Sequence, residues 1–205
     1  MTEQQPYRIV HKYADFQVRR YPEHLLAEVV VEGSFEEAGN KAFRYLFAYL
    51  GGENRSSKKV AMTAPVVQDA ASEKIQMTAP VVQQGEVVRG ADETAVGTQV
   101  RRFRVAFVLP ADFTIDTAPL PTNSLVVLRA VPESLAAVIS FSGRWSNESY
   151  QRHLDTLEKA LGAAGLYSVG APRFARFDPP IKPWFLRRNE IILDLDDSPS
   201  APTDH

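Results

Sequence analysis

The sequence of 205 residues contains no cysteine, which excludes disulfide bonds and cysteine-based metal sites. It also carries little excess charge, and a formal net charge of −2 gives no electrostatic reason to expect nucleic acid as a partner. No apolar run approaches the roughly 20 residues of a membrane-spanning helix, and the first eight residues are too polar for a signal peptide. We therefore expect a soluble, cytoplasmic protein with no nucleic-acid partner and no membrane insertion.

The signatures of common enzymes are missing as well. The chain has no G-x-S-x-G, no H-E-x-x-H and no cysteine nucleophile. The segment GGENRSSKK at 51–59 resembles a phosphate-binding loop, but it follows a predicted helix and lacks a second glycine before its lysine. These absences favour a binding protein over an enzyme. The sequence leaves open whether a carboxylate such as Glu28 or Glu32 acts as an acid or base in a groove.

An internal repeat is the most informative feature that is present. YPEHLLAEVVVEGSF at 21–35 and VPESLAAVISFSGRW at 131–145 align without a gap at an offset of 110. Each copy predicts a turn, a strand and, after a glycine, a helix. We predict two similar halves at roughly 13–68 and 123–178, within one domain at 7–195. Flexible tails are expected at 1–6 and 196–205.

Hydrophobic periodicity indicates the elements of each copy. Leu25, Ala27 and Val29 alternate with their neighbours as in a strand. Ser34 and Glu37 have the spacing of a capping box at the start of the first helix, and the second helix is predicted to start at Ser146. Many strands with only two helices favour an α+β fold. We predict a distorted antiparallel β-barrel of two pseudo-symmetric halves, each with one flanking α-helix.

A shorter repeat lies between the two halves. KVAMTAPVVQ at 59–68 returns as KIQMTAPVVQ at 74–83. Each copy predicts a strand whose proline lies at an edge or bulge, because proline cannot donate to a ladder. We predict a hairpin of these two strands in which Met62 and Met77 are buried.

Together these segments resemble the SOUL heme-binding family. The resemblance is carried by six pieces that span nearly the whole chain: RRYPE at 19–23, EGSFEEAGNKAFRYLFAYLGGEN at 32–54, the twin MTAPV segments, FVLP at 107–110, FSGRW at 141–145 and FDPPIKPWFLRRNE at 177–190. It implies heme or another tetrapyrrole, bound non-covalently in an apolar groove beside the first helix, with a carrier or buffer role. Two alternatives stay open: an enzyme acting on the bound tetrapyrrole (an isomerase or dechelatase), or a sensor domain for flat hydrophobic or cationic molecules.

The resemblance also implies which residues contact the ligand. Cations would pair with the propionates and aromatic rings would contact the macrocycle. The candidate ligand-binding residues are Lys41, Arg44, Phe43, Phe47, Lys182, Trp184 and Phe185. The alternative for the cations is a solvated charged face, and for Trp184 and Phe185 it is closure of the barrel end.

Any heme binding is expected to be weak. Arg20 stands where one family member has a histidine ligand, and Asn40 and Ala48 stand at positions that are basic in heme-binding relatives. His153 is expected at a packed helix edge and not as a ligand, so we predict no metal-coordinating or catalytic residue. The partner is then heme or a porphyrin-like small molecule, and we expect a monomer.

Overall fold

The predicted alternation forms one large antiparallel sheet in the computed structural model, which describes residues 3–56, 75, 78–86, 102–144, 146–178 and 182–196. The strands are β1 (Glu3–Gln4), β2 (Arg8–Lys12), β3 (Gln17–Tyr21), β4 (His24–Glu32), β5 (Asn54–Arg55), β6 (Thr78–Ala79), β7 (Val81–Glu86), β8 (Arg102–Val108), β9 (Leu120–Pro121), β10 (Val127–Val131), β11 (Ser134–Ser142), β12 (Ser168–Arg176) and β13 (Arg188–Leu195). The helices are α1 (Phe35–Leu50) and α2 (Asn147–Ala163), and a 3₁₀ turn spans Trp184–Leu186.

Nine of these strands form the main sheet, in the order β10-β4-β8-β7-β12-β13-β11-β3-β2, with every pair antiparallel. The sheet curls into a half-barrel, and each half carries one helix. The predicted α+β class and the pseudo-symmetric distorted barrel are thus confirmed. Two small ladders lie outside the main sheet. β1, which precedes residue 7, pairs with β6, and β5 pairs with β9.

The strand register reproduces the 110-residue offset. His24 pairs with Val131, and the equivalent pair is Ser134 with Tyr21. The leading strand of each copy therefore crosses to the other half: β3 pairs with β11, and β10 pairs with β4. The two halves exchange strands at the matching Pro-Glu turns.

Strands β7 and β12 join the two halves at the centre of the sheet. Gln84 pairs with Arg173 and Val82 pairs with Ala175, so the pseudo-twofold axis passes between these strands. The proline of the second MTAPV segment, Pro80, was predicted at an edge or bulge. It lies instead just before the first residue of a central strand, where its missing N–H leaves the β7 ladder intact. Met62 and Met77 lie outside the described residues.

Both helices pack on one side of the sheet. Helix α1 buries Ala38, Ala42 and Leu46 against β4 and β8, whereas α2 buries Leu154 and Leu157 against β11, β12 and β13. The predicted capping box of Ser34 and Glu37 is present. Ser146 caps α2 as predicted, but this lies two residues beyond the 110 offset. The repeat therefore stays in register through Gly33 and Gly143. Helix α1 starts two residues after Gly33, whereas α2 starts four residues after Gly143.

Each strand alternates between two faces of the sheet, which we name the helix-covered face and the opposite face. Ala27, Val105 and Phe107 belong to the core beneath the helices. Their neighbours Leu26 and Ala106 belong to a separate cluster on the opposite face. Side chains on the two faces are therefore separated by the thickness of the sheet.

Candidate functional site

Two aromatic side chains of α1 point away from the core. Phe43 and Phe47 are one helical turn apart and stack with their ring centroids 5.5 Å apart and an interplanar angle of 16°. They are 40% and 55% exposed, although α1 already buries six apolar side chains among the described residues. Phe43 also packs edge-on against Phe107 of β8, with centroids 5.4 Å apart. The pair is thus anchored to the sheet at one ring and open to solvent.

The two predicted cations of α1 differ in their partners. Lys41 places its Nζ 3.6 Å from Glu37 Oε2 and donates to the carbonyl of Glu32 at 3.2 Å. Arg44 donates to Tyr45 Oη at 3.2 Å and has no carboxylate within ion-pair distance in the described part of the chain. Arg44 is therefore the better placed of the two to pair with an external carboxylate.

Lys182 is held by an acidic partner. Its Nζ donates to Asp178 Oδ1 at 2.7 Å, and Asp178 Oδ2 accepts the backbone N–H of Arg188 at 2.6 Å. Burial would raise the pKa of Asp178, but these hydrogen bonds and the nearby positive charges outweigh it and hold the pKa below its usual value. The charge of Lys182 is already compensated within the protein.

Trp184 and Phe185 form a second exposed aromatic surface. They are 48% and 57% exposed and meet edge to face with centroids 5.7 Å apart. The guanidinium of Arg144, at the end of β11, lies 5.5 Å from the Trp184 ring centroid. In the described residues no ring contact joins this pair to Phe43 and Phe47, so the seven predicted residues form two groups.

Arg176 is a further cation at α1 that sequence reasoning missed. A Cβ added to Gly39 would lie 3.1 Å from Nη1 of Arg176, so the guanidinium lies directly on the helix backbone. Arg176 is the last residue of β12, immediately before the segment that carries Lys182 and Trp184. The available signal was Gly39 itself, because a glycine inside a helix usually has a packing or functional reason.

The histidine on α2 has a structural environment. Nδ1 of His153 lies 2.7 Å from the carbonyl of Ser149 and therefore donates to it, and the imidazole stacks on Phe141 with centroids 3.7 Å apart. Arg20 forms an ion pair with Glu133 at 3.0 Å. No group of three or more potential metal ligands occurs among the described residues.

The opposite face carries two glutamates held by arginines. Both oxygens of Glu190 accept from Nη1 of Arg19, at 3.0 and 3.1 Å, and Arg188 and Ser140 donate to Oε1. Burial alone would lower the pKa of Arg19, but the carboxylate of Glu190 and the side chains of Tyr21 and Tyr7 together outweigh it, and the pKa is raised. Arg188 and Glu190 share this face of β13 because they are two residues apart in the strand.

The second glutamate is Glu28. Its two oxygens accept from Arg104 and Arg129, each at 2.8 Å. Arg129 matches Arg19 in the internal repeat, so the matched arginines both hold a glutamate, although the two glutamates lie on non-equivalent strands. Neither carboxylate is left to attract a cation.

The chain belongs to the SOUL heme-binding protein family, whose model matches residues 2–194. Heme-binding protein 1 of Xenopus tropicalis is 25% identical over 177 residues, which cover 86% of this chain and 81% of that protein. The Xenopus laevis protein of the same name is 24% identical over the same shares.

A solved structure of low sequence identity shares this fold. The C-terminal domain of EcmrR superposes with a TM-score of 0.57, covering 93% of this chain and 98% of that domain, at 11% identity. No helix in the described residues is long and apolar enough to cross a membrane.

Proposed function

We propose that this protein binds heme or a related tetrapyrrole non-covalently on the outer face of α1, as a carrier or buffer. The observation that carries the proposal is the exposed, stacked pair of Phe43 and Phe47 with Arg44 beside it. Exposed aromatic area of this kind marks binding surfaces. Membership of the SOUL heme-binding family and similarity to two proteins named heme-binding protein 1 support the choice of ligand.

Apolar contact would dominate the affinity. Burial of apolar surface contributes roughly 25 cal/mol per Å² before the cost of association is subtracted. A propionate paired with Arg44 at a half-exposed site adds only about 0.2–1 kcal/mol. Helix α1 contains no histidine, cysteine or methionine that could serve as an axial ligand, so we expect iron to add little. We expect iron-free porphyrin to bind within about tenfold of ferric heme, which corresponds to about 1.4 kcal/mol.

The two glutamate networks bear on the alternatives. A sensor for cations needs an available negative charge in its groove, but Glu28 and Glu190 are each paired with two arginines. The geometry therefore favours an anionic tetrapyrrole over a cationic ligand. Turnover of the bound tetrapyrrole would require an acid or base beside it. The exposed charged groups described on α1 are Lys41, Arg44 and Glu37, and the carboxylate of Glu37 is already engaged by Lys41 and by the backbone N–H of Ser34.

The test is to titrate the ligand-free protein with ferric heme and with iron-free porphyrin, followed by absorption spectroscopy. We expect one equivalent of each to bind. Phe47→Ala removes stacking area and should weaken both ligands by about tenfold or more, since burying a phenylalanine side chain contributes about 1.5–3 kcal/mol. Arg44→Gln should weaken both by up to about fivefold, as an exposed ion pair does.

Matched variants separate the site from general effects. Arg152→Gln removes an exposed arginine from the outer face of α2 and should leave both affinities unchanged. Lys182→Glu should weaken binding, and Lys182→Gln should do so less than Arg44→Gln because Asp178 already compensates its charge. A heme spectrum with two histidine ligands that collapses in His153→Ala would overturn the proposal, as would unchanged affinity in Phe47→Ala.

A further inference from the structure

A small cavity on the opposite face of the sheet lies beneath a cluster of arginines. Its volume is about 110 Å³, and its floor is apolar, with Leu26, Ala106 and Val108 among the lining residues. Cavities for organic ligands usually measure roughly 300–1,000 Å³, so this one suits only a few heavy atoms. The same strands present Ala27 and Phe107 to the helix-covered face, so the sheet separates this cavity from α1.

Three guanidinium groups line this cavity: those of Arg104, Arg129 and Arg173. Arg104 and Arg129 share the single carboxylate of Glu28. Arg173 is paired with Asp194, the one carboxylate among the lining residues. Three positive charges therefore face two negative ones, and the cavity has a positive charge in excess.

Hydrogen-bond donors remain for an anion. Arg129 uses its Nε on Glu28, and within the described chain no acceptor is bonded to its two terminal nitrogens. The Nε of Arg173 is buried and has no hydrogen-bond partner among the described residues. A buried donor without an acceptor is destabilising, and an oxyanion would satisfy it with a charge-assisted hydrogen bond.

His24 lines the same cavity, and its pKa depends on what the cavity contains. Its Nδ1 lies 2.9 Å from the carbonyl of Pro22 and donates to it, so in the neutral ring Nε2 carries no proton. Burial lowers the pKa of His24, and the charges of Arg173 and Arg129 act in the same direction, while the Pro22 carbonyl and Asp194 oppose them. A bound anion would cancel part of the arginine field and raise this pKa.

We propose that this cavity is a binding site for a small free oxyanion of the size of phosphate, held by Arg129 and Arg173 with Arg104 behind them. The guanidinium fork matches the oxygens of a phosphate or carboxylate in two parallel hydrogen bonds. The site lies on the opposite face from α1 and does not depend on the proposed tetrapyrrole site.

The experiment is calorimetric titration of the whole protein with inorganic phosphate at constant ionic strength, with acetate as the second anion. We expect one phosphate to bind, with Arg129→Gln weakening it by about tenfold or more, since a hydrogen bond to a charged group contributes about 1.5–3 kcal/mol. Acetate binding as tightly as phosphate would assign the site to carboxylates and overturn the phosphate-sized assignment.

Arg102→Gln is the matched control. Like Arg129, Arg102 is paired with a glutamate, Glu32, but Arg102 lies on β8 and does not line the cavity. Phosphate affinity should therefore stay within about twofold. A loss equal to that of Arg129→Gln would show a diffuse charge effect and overturn the proposal. Arg173→Gln is the second test, and a thermal melt shows whether this variant folds. If it does not fold, Arg129→Gln still tests the site, because Arg129 is 41% exposed and its replacement should be tolerated.

The NMR signal of the His24 imidazole provides a local readout. Phosphate should shift this signal and raise the pKa of His24, and the shift should persist when iron-free porphyrin is present in excess. Absence of both calorimetric heat and an NMR shift would overturn the site. Phosphate binding without porphyrin binding would refute only the proposed function, and phosphate displaced by porphyrin would overturn the separation of the two sites.

Discussion

The two helices occupy equivalent places in the pseudo-symmetric halves but present different surfaces. On the outer face α1 exposes Phe43 and Phe47, whereas α2, aligned from its own cap at Ser146, places Asp155 and Lys159 at the matching positions. Their buried stripes remain alike because both must pack on the same kind of sheet. The comparison teaches that packing preserves the inner stripe of each helix, while the outer face is free to diverge and acquire a ligand-binding surface.

The two glutamate networks show the same divergence on the opposite face. Glu190 is 1% exposed and Arg19 3%, whereas Glu28 is 7% exposed and its partners Arg104 and Arg129 are 29% and 41% exposed. If a glutamate is replaced, water can reach the arginines that were paired with Glu28 but not the arginine Arg19 that was paired with Glu190. The second half thus carries a buried ion pair, and the first half a partly solvated one beside a cavity.

Replacement of the two glutamates should break this comparison most strongly. Glu190→Gln leaves Arg19 buried without its countercharge and should lower the free energy of unfolding by about 3–5 kcal/mol. Glu28→Gln should cost about 1–2 kcal/mol, because its arginines are partly hydrated. Urea-induced unfolding of both variants measures the difference, and equal losses would show that burial does not separate the networks.

A pair of glycine substitutions tests the two helices directly. Nothing lies within 4 Å of a Cβ added to Gly162 of α2, so Gly162→Ala should raise the free energy of unfolding by about 0.5–1 kcal/mol. Gly39→Ala gains the same helix propensity but must displace the Arg176 guanidinium, so its gain should be smaller or reversed. Thermal unfolding of the two variants provides the measurement. A gain in Gly39→Ala that matches Gly162→Ala would mean that Arg176 does not rest on α1.

Acid titration should show the smallest of these effects, at the Asp178 hydrogen bonds. The pKa of Asp178 is held below its usual value, so its contribution to stability is present above about pH 4 and is lost as the pH falls through the lowered pKa. Asp178→Asn should be less stable than the wild-type protein at neutral pH by up to about 1 kcal/mol. The difference should shrink below about pH 4 in urea unfolding at stepped pH. A difference that stays constant into strong acid would contradict this assignment.

The sequence allowed much of the fold to be predicted, for a physical reason. Period-two alternation determines which side chains share a face, and the unbroken offset through Gly33 and Gly143 indicated two equivalent strands. Phe43 and Phe47, which the sequence analysis named as candidate ligand-binding residues, are exposed on α1 as a ligand contact requires. These features depend on local geometry and can therefore be predicted from the order of the residues.

The features that the sequence did not predict depend on which strands become neighbours in the sheet. Alternation does not state a strand's partner, so neither the exchange of β3 and β10 nor the central place of β7 was predicted. The contact of Arg176 with Gly39 and the convergence of Arg104, Arg129 and Arg173 follow from those pairings. The predicted ligand residues and domain bounds stay predictions, and the titrations above address the former.

The exchange of strands between the halves has a consequence for synthesis on the ribosome. β4 is flanked by β10, which lies roughly a hundred residues later in the chain, so the amino-terminal half emerges with an unfinished hydrogen-bonding edge. Such long-range pairing makes folding slow, because the entropy of closing a large loop must be overcome before the contacts form. The nascent chain must therefore wait until most of its sequence has been translated, with apolar strands exposed to chaperones in the meantime.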